Sequence, residues 1–111
     1  MRVYEARTSA DMRRFTLFPR HLYKSDPSWA PPLWMDERGA YTAKKNAILA
    51  HSDYALLLAE DDGRLIGRSL IYVDHNFNAY YHTRTGFFGA FECVDDFCAA
   101  RALDERAVSW L

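Results

Sequence analysis

The segment Asp53 to Glu60, DYALLLAE, constrains the fold most, because both of its alternating residue sets are apolar. Tyr54, Leu56 and Leu58 form one set, and Ala55, Leu57 and Ala59 form the other. A strand with two apolar faces belongs inside a sheet that is covered on both sides. Asp61, Asp62 and Gly63 follow as a hairpin turn, in which Gly63 supplies the positive φ that tight turns require. Arg64 to Val73 is then predicted to return as the antiparallel partner.

The rest of the chain supplies covering elements. Arg2 to Ala6 reads as a short strand, and Thr8 or Ser9 caps a helix whose apolar residues Met12, Phe15 and Phe18 recur at helical spacing. Pro19 is expected to limit that helix, with a further turn through His21 to Lys24, because the residue before a proline is pushed away from helical angles. SDPSWAPPLW is then an extended connection pinned by Trp29, Leu33 and Trp34. Met35 to Lys45 is a predicted helix that ends at Asn46.

Asp74 to Thr85 is polar and mixed, and reads as a loop. Gly86 to Cys93, GFFGAFEC, is a predicted third long strand with Phe87 and Phe91 on one side and Phe88 on the other. Glycines inside a strand mark a bulge or a close approach to the backbone. Asp95 or Asp96 then caps a helix in which Phe97, Ala100, Leu103, Ala107, Val108 and Leu111 form one stripe. That pattern calls for a further strand beyond Leu111, since the GFFGAFEC strand otherwise keeps an unpaired, aromatic edge that a second copy could also cover. The expectation is therefore a single domain over residues 1–111, cut short.

Composition narrows the class. With 111 residues the chain is one domain at most, and its seven Phe, seven Tyr and three Trp make a core feasible at this size. Fourteen Lys and Arg against fifteen Asp and Glu create no overall field for nucleic acid or an anionic membrane. There is no run of eighteen apolar residues and no basic-then-apolar start, so the sequence reads as cytoplasmic. Cys93 and Cys98 read as two reduced thiols rather than a disulfide framework or zinc site.

The order strand, helices, antiparallel hairpin, strand, helix resembles the N-terminal part of the GNAT superfamily of acyl-CoA-dependent N-acyltransferases. Three stretches carry the likeness: FPRHLYKSDPSWAPPL, KKNAILAHSDYALLLAEDDGRLIGRS, and GFFGAFECVDD with a helix reaching Trp110. They resemble a group of considerably longer GNAT-like bacterial proteins. The fold class implied is α/β of the α+β type, a mixed and mostly antiparallel sheet with helices on both faces.

What the resemblance implies is transfer of an acetyl or other acyl group from coenzyme A to an amine, carried by a small molecule or a peptide. In such folds the strand matching GFFGAFEC splays from its neighbour and its backbone holds the pantetheine arm. The following loop holds the pyrophosphate at a helix N-terminus, where free N–H groups favour an anion. By this likeness Phe91, Cys93 and Val94 lie along the cofactor, and Glu92 is the candidate base that deprotonates the attacking amine, since an ammonium cannot attack a thioester. The general acid of such enzymes, a Tyr from a later helix, has no counterpart before Leu111.

The phosphate loop departs from the superfamily pattern of Gln or Arg, two variable residues, Gly, one variable residue, then Gly or Ala. After Glu92 the chain reads Cys93, Val94, Asp95, Asp96, Phe97, Cys98, with no glycine and two carboxylates where phosphates would sit. Either the cofactor is held differently, helped by Arg101, or the domain is a GNAT-like interaction or regulatory module that no longer binds it. A gene fragment without independent function is a third reading.

Other chemistries find no support. Tyr72, Tyr80 and Tyr81 are candidates for substrate contact or for packing at the sheet ends. The histidines at 21, 51, 75 and 82 lack the spacing of a metal site. No G-x-S-x-G elbow, P-loop or G-x-G-x-x-G is present. Arg13, Arg14, Arg20, Lys24, Lys44 and Lys45 form at most a local basic patch, without the excess that nucleic acid binding needs.

Overall fold

A turn with two positive φ angles, 52° at Asp62 and 75° at Gly63, joins strand β2 (Ser52–Asp61) to β3 (Arg64–Asp74). Such a turn twists in the sense the strands need, which is why the Asp-Gly pair specifies the hairpin. The computed structural model describes residues 1–25, 41–42 and 46–111. β1 (Arg2–Glu5) pairs with β2 from Arg2↔Glu60 to Glu5↔Leu57, and β4 (Phe87–Cys93) pairs with β3. The sheet is antiparallel throughout, in the order β1-β2-β3-β4. The predicted proline-rich connection and the helix from Met35 to Lys45 lie outside the described residues, except for Ser25, Tyr41 and Thr42.

β2 is interior and buried from Ala55 to Ala59, as its two apolar sets require. Ala55, Leu57 and Ala59 meet Ile66, Ile71 and helix α4 (Phe97–Trp110) on one face. Leu56, Leu58 and Leu70 meet Phe15 of α1 (Ser9–Leu22), Tyr41 and Leu49 of the single turn α2 (Ala47–Ala50) on the other. The fold is therefore α+β with helices on both faces of an antiparallel sheet. Fully buried Leu57 and Leu58 are each worth about 1.5–3 kcal/mol of apolar burial, so this strand anchors both layers.

Thr8 caps α1: its Oγ1 accepts from Asp11 N at 3.0 Å, and Asp11 Oδ2 accepts from Thr8 N at 3.4 Å. This reciprocal pair fixes where the helix starts. Arg14 then ties α1 to the sheet, donating to Tyr4 Oη at 2.7 Å and to Glu60 Oε2 at 2.9 Å.

Three expectations are corrected. α1 does not stop at Pro19 but runs to Leu22. Proline cannot donate to the carbonyl four residues back, that of Phe15, and Arg68 Nη1 fills the vacancy at 2.7 Å. Asn46 caps α2, its Oδ1 accepting from Ile48 N at 3.0 Å, and its own N–H donates to Thr42 O at 2.9 Å, while the helix expected to end at it lies outside the described residues. The segment read as a loop contains helix α3 (His75–Tyr81), capped by Asp74 Oδ1 on Asn76 N and Phe77 N and ended by His82 at φ 56°. A good cap and the packing of Phe77 on Phe87 outweigh the poor helix propensities of HNFNAYY.

The third concerns α4, whose buried stripe is Ala99, Leu103 and Ala107, with Trp110 alongside. Phe97 and Val108 are exposed and Leu111 is half exposed, although they belonged to the predicted stripe. Small residues explain the shift. Ala99 and Ala107 let the helix lie close to the sheet over Gly67, where an added Cβ would come within 2.7 Å of Leu103 Cδ1.

Candidate functional site

β4 carries the residues to which the sequence assigns chemistry, and its register explains how they are presented. Arg68 pairs with Glu92 and Leu70 with Gly89, so Ala90 and Phe91 together oppose Ser69. This is a β-bulge, as the glycines suggested, with Ala90 in left-handed conformation at φ 49°. A non-glycine residue there costs about 1–2 kcal/mol. The extra residue reverses the alternation. Phe87 stacks on Tyr72 on the α1 face, whereas Phe91 packs with the α4 cluster, so these two phenylalanines are on opposite faces and not on the same one.

The bulge is held by Arg68. This side chain is 3% exposed, and its Nε donates to Ala90 O at 3.1 Å, Nη1 to Phe15 O at 2.7 Å and Nη2 to Tyr41 Oη at 3.2 Å. Its guanidinium carbon lies 4.8 Å from the Phe15 ring centre and 5.2 Å from that of Tyr41. Among the described residues no carboxylate forms an ion pair with it, although Glu92 is its neighbour across the strands, so carbonyls and aromatic faces solvate a buried cation. Sequence reading missed Arg68. The available signal was a cation on the inward set of a strand that is otherwise apolar.

Glu92 follows the bulge and lies on the α1 side, where Tyr23, the residue that closes α1, donates its hydroxyl to Glu92 Oε2. The half-buried carboxylate thus has a fixed orientation and a phenol beside it. Tyr23 was not singled out by sequence, because the two residues are 69 positions apart and meet only once α1 has run past Pro19. At the C-terminal end of α1 opens a cleft of about 350 Å³ lined by Phe18, His21, Leu22, Lys24, Arg64, Leu65 and Val94.

On the α4 face, Phe91, Cys93 and Val94 line an open depression of about 410 Å³ with Asp95, Asp96, Phe97 and Ala100. Asp96 caps α4, its Oδ1 accepting from Cys98 N at 2.9 Å, so one of the N–H groups that an anion would need is taken. Arg101 is not among the lining residues; its Nε is bonded to Glu105 Oε1 at 2.9 Å on the exposed helix surface. Burial, reinforced by Asp96 and Asp104, pushes the Cys93 thiol above its ordinary pKa, whereas Cys98 is exposed.

The remaining candidates lie apart. Tyr72 packs on Phe87, while Tyr80 and Tyr81 are exposed on α3. His51 pairs with Asp74 and His75 with Asp53, each at 3.1 Å, at the far end of the β2–β3 hairpin from its turn. Among the described residues no group of three or more His, Cys, Asp or Glu is placed to hold a metal ion. Among them, too, no helix is long and apolar enough to cross a membrane.

The chain has bacterial relatives. It is 34% identical over 101 residues to Protein YghO of Escherichia coli (strain K12), a match over 91% of this chain and 26% of that protein. It is 33% identical over 110 residues to a bacterial ceramide synthase of Caulobacter vibrioides, a match over 98% of this chain and 29% of the relative. The chain therefore spans between a quarter and a third of the length of these curated relatives. No family model and no solved structure matches it.

Proposed function

We propose that the chain is the N-terminal part of a GNAT-like N-acyltransferase that moves an acyl group from coenzyme A to an amine. The observation that carries this reading is Glu92, set on β4 just after a bulge, with its carboxylate oriented by Tyr23. In the step proposed, the neutral amine nitrogen attacks the thioester carbonyl, a C–N bond forms and the C–S bond breaks. Glu92 receives the ammonium proton, directly or through one water, and the coenzyme A thiolate leaves to be protonated. β4 is an edge strand among the described residues, and a bulged edge offers unpaired backbone groups to an amide-bearing arm.

Strand alternation adds support. Glu92 faces α1, while Phe91 and Cys93 on either side of it face α4, so donor and acceptor can approach one strand segment from two sides. The name of the Caulobacter relative agrees with the reading, because a ceramide is the N-acyl amide of a long-chain amino alcohol. On this basis lipid amines are the acceptors to try first. The same reading puts the protein in the cytoplasm, where acyl-CoA is made.

The alternative is a GNAT-like interaction module without cofactor, favoured by Asp96, whose carboxylate occupies the helix end at which a pyrophosphate would dock. Thermal melting with acetyl-CoA and a long-chain acyl-CoA separates the two. A ligand at 100 times its dissociation constant adds about 2.7 kcal/mol to stability, which a melt resolves readily. Stabilisation by either donor, with thiol release that Glu92→Gln abolishes, is the expected result. A cooperative melt that neither donor shifts would leave the module.

A further inference from the structure

The cleft on the α1 face has the chemistry of an anion site, and nothing in the reading above uses it. Its floor is apolar, from Phe18, Leu22, Leu65 and Val94, and its charged lining is the Lys24 and Arg64 cations with the His21 imidazole. Among the described residues none of these three is in an ion pair, although Arg2, Arg7, Arg14 and Arg101 each have a carboxylate partner. Among the described residues no carboxylate lines the cleft. At about 350 Å³ it lies at the lower end of the range of small-ligand pockets, about 300–1,000 Å³.

Its position matters as much as its charge. Val94 lines both this cleft and the depression on the α4 face, so the two are separated by the end of β4. On the α4 side Asp95 and Asp96 repel a phosphate, and Asp96 already takes the Cys98 N–H. On the α1 side the same strand end faces cations. Leu22 and Lys24 flank Tyr23 in the chain and Val94 follows Glu92 by two residues, so the cleft lies near the Tyr23–Glu92 pair although neither of the two lines it.

We propose that this cleft binds a phosphate group, gripped by Lys24 and Arg64 with His21 at its edge, while the apolar floor holds the atoms to which the phosphate is attached. Charge-assisted bonds from ammonium and guanidinium to phosphate supply the attraction, and a phosphate at an exposed rim is held more weakly as salt rises. The proposal rests on the acyl-transfer reading only for the carrier of the phosphate, which is either the donor's coenzyme A or a phosphorylated acceptor.

The test uses the full chain and the double variant Lys24→Ala/Arg64→Ala, whose side chains are exposed and whose unliganded melts should coincide. Inorganic pyrophosphate is titrated at matched low ionic strength and melting is recorded. The natural chain is expected to melt higher with pyrophosphate, and the double variant to bind it at least about tenfold more weakly. No response, or an equal response in both proteins, overturns the proposal. Acetyl-CoA distinguishes the carriers. A response weakened by the same substitutions assigns the phosphate to the donor, and an undiminished one, with the pyrophosphate response lost, assigns it to the acceptor. Stabilisation by acetyl-CoA alone removes the cleft but leaves the acyl-transfer reading, whereas stabilisation by pyrophosphate with no effect of either acetyl-CoA or a long-chain acyl-CoA keeps the cleft and removes that reading.

Discussion

Replacing Arg68 by Met should destabilise the domain far more than the loss of one charge at a surface would. The methionine fills much of the same space and removes the cost of burying a guanidinium. It cannot remove the acceptors, however, because Phe15 O and Ala90 O belong to the backbone. Each carbonyl left without a donor costs about 1–3 kcal/mol, and the cation–π contacts with Phe15 and Tyr41 are lost as well. Set against the relief of desolvation, the net loss expected is about 2–4 kcal/mol, or about 8–16 °C in melting temperature for a domain of this size. Urea or thermal denaturation measures it, and Pro19→Ala supplies the decisive comparison. Alanine restores an N–H that can donate to Phe15 O, so Pro19→Ala should be more favourable by about 1–2 kcal/mol in the Arg68→Met background than in the natural one. If the effect of Pro19→Ala is the same in both backgrounds, Arg68 is not the substitute donor for the proline-interrupted helix, and the reasoning fails.

Three further outcomes are expected. Leu103→Ala should cost about 2–5 kcal/mol while Val108→Ser, on the exposed side of the same helix, stays within about 0.5 kcal/mol, as chemical denaturation would show. Phe77 N–H donation to Asp74, Arg14 donation to Glu60 and Arg7 N–H donation to Asp11 hold these three carboxyls below their ordinary pKa. Their stabilisation is therefore complete above the unfolded carboxylate pKa of about 4 and is lost as pH falls through the lower folded values, which melts taken between pH 6 and pH 2 would trace. Iodoacetamide at mildly alkaline pH should label exposed Cys98 well before Cys93, whose thiol is half buried and has a raised pKa; equal rates by mass spectrometry would contradict this.

What could be read from sequence was what neighbouring residues decide. The Asp62-Gly63 turn, the caps expected at Thr8 or Ser9 and at Asp95 or Asp96, and the doubly apolar β2 are each specified within a few positions, and the structure has the turn, caps at Thr8 and Asp96, and the strand. The misreadings arise where a distant group supplies what the local sequence lacks. Pro19 ends a helix only if nothing else satisfies Phe15 O, and the donor comes from Arg68, 53 positions away. α4 could present either of two apolar stripes, and the close fit over Gly67 selects the one rich in alanine. At the candidate site Glu92 was visible as a lone acid on an aromatic strand. Its partner Tyr23 was not, because Pro19 was expected to limit α1 and nothing local says that the turn after it meets β4.

The placement of β1 also bears on how the chain folds. Its first residue, Arg2, pairs with Glu60, so β1 must wait for most of the intervening chain before it has a partner. Closing a loop of about 50 residues costs about 3.5 kcal/mol of chain entropy beyond a constant, whereas β2, β3 and β4 follow one another and close over much shorter spans. The three-strand meander is thus the natural nucleus during synthesis, and the N-terminal strand docks late as its last rail. Substitutions that weaken β1, such as loss of the Arg14 link to Tyr4, should then speed unfolding while leaving the folding rate nearly unchanged.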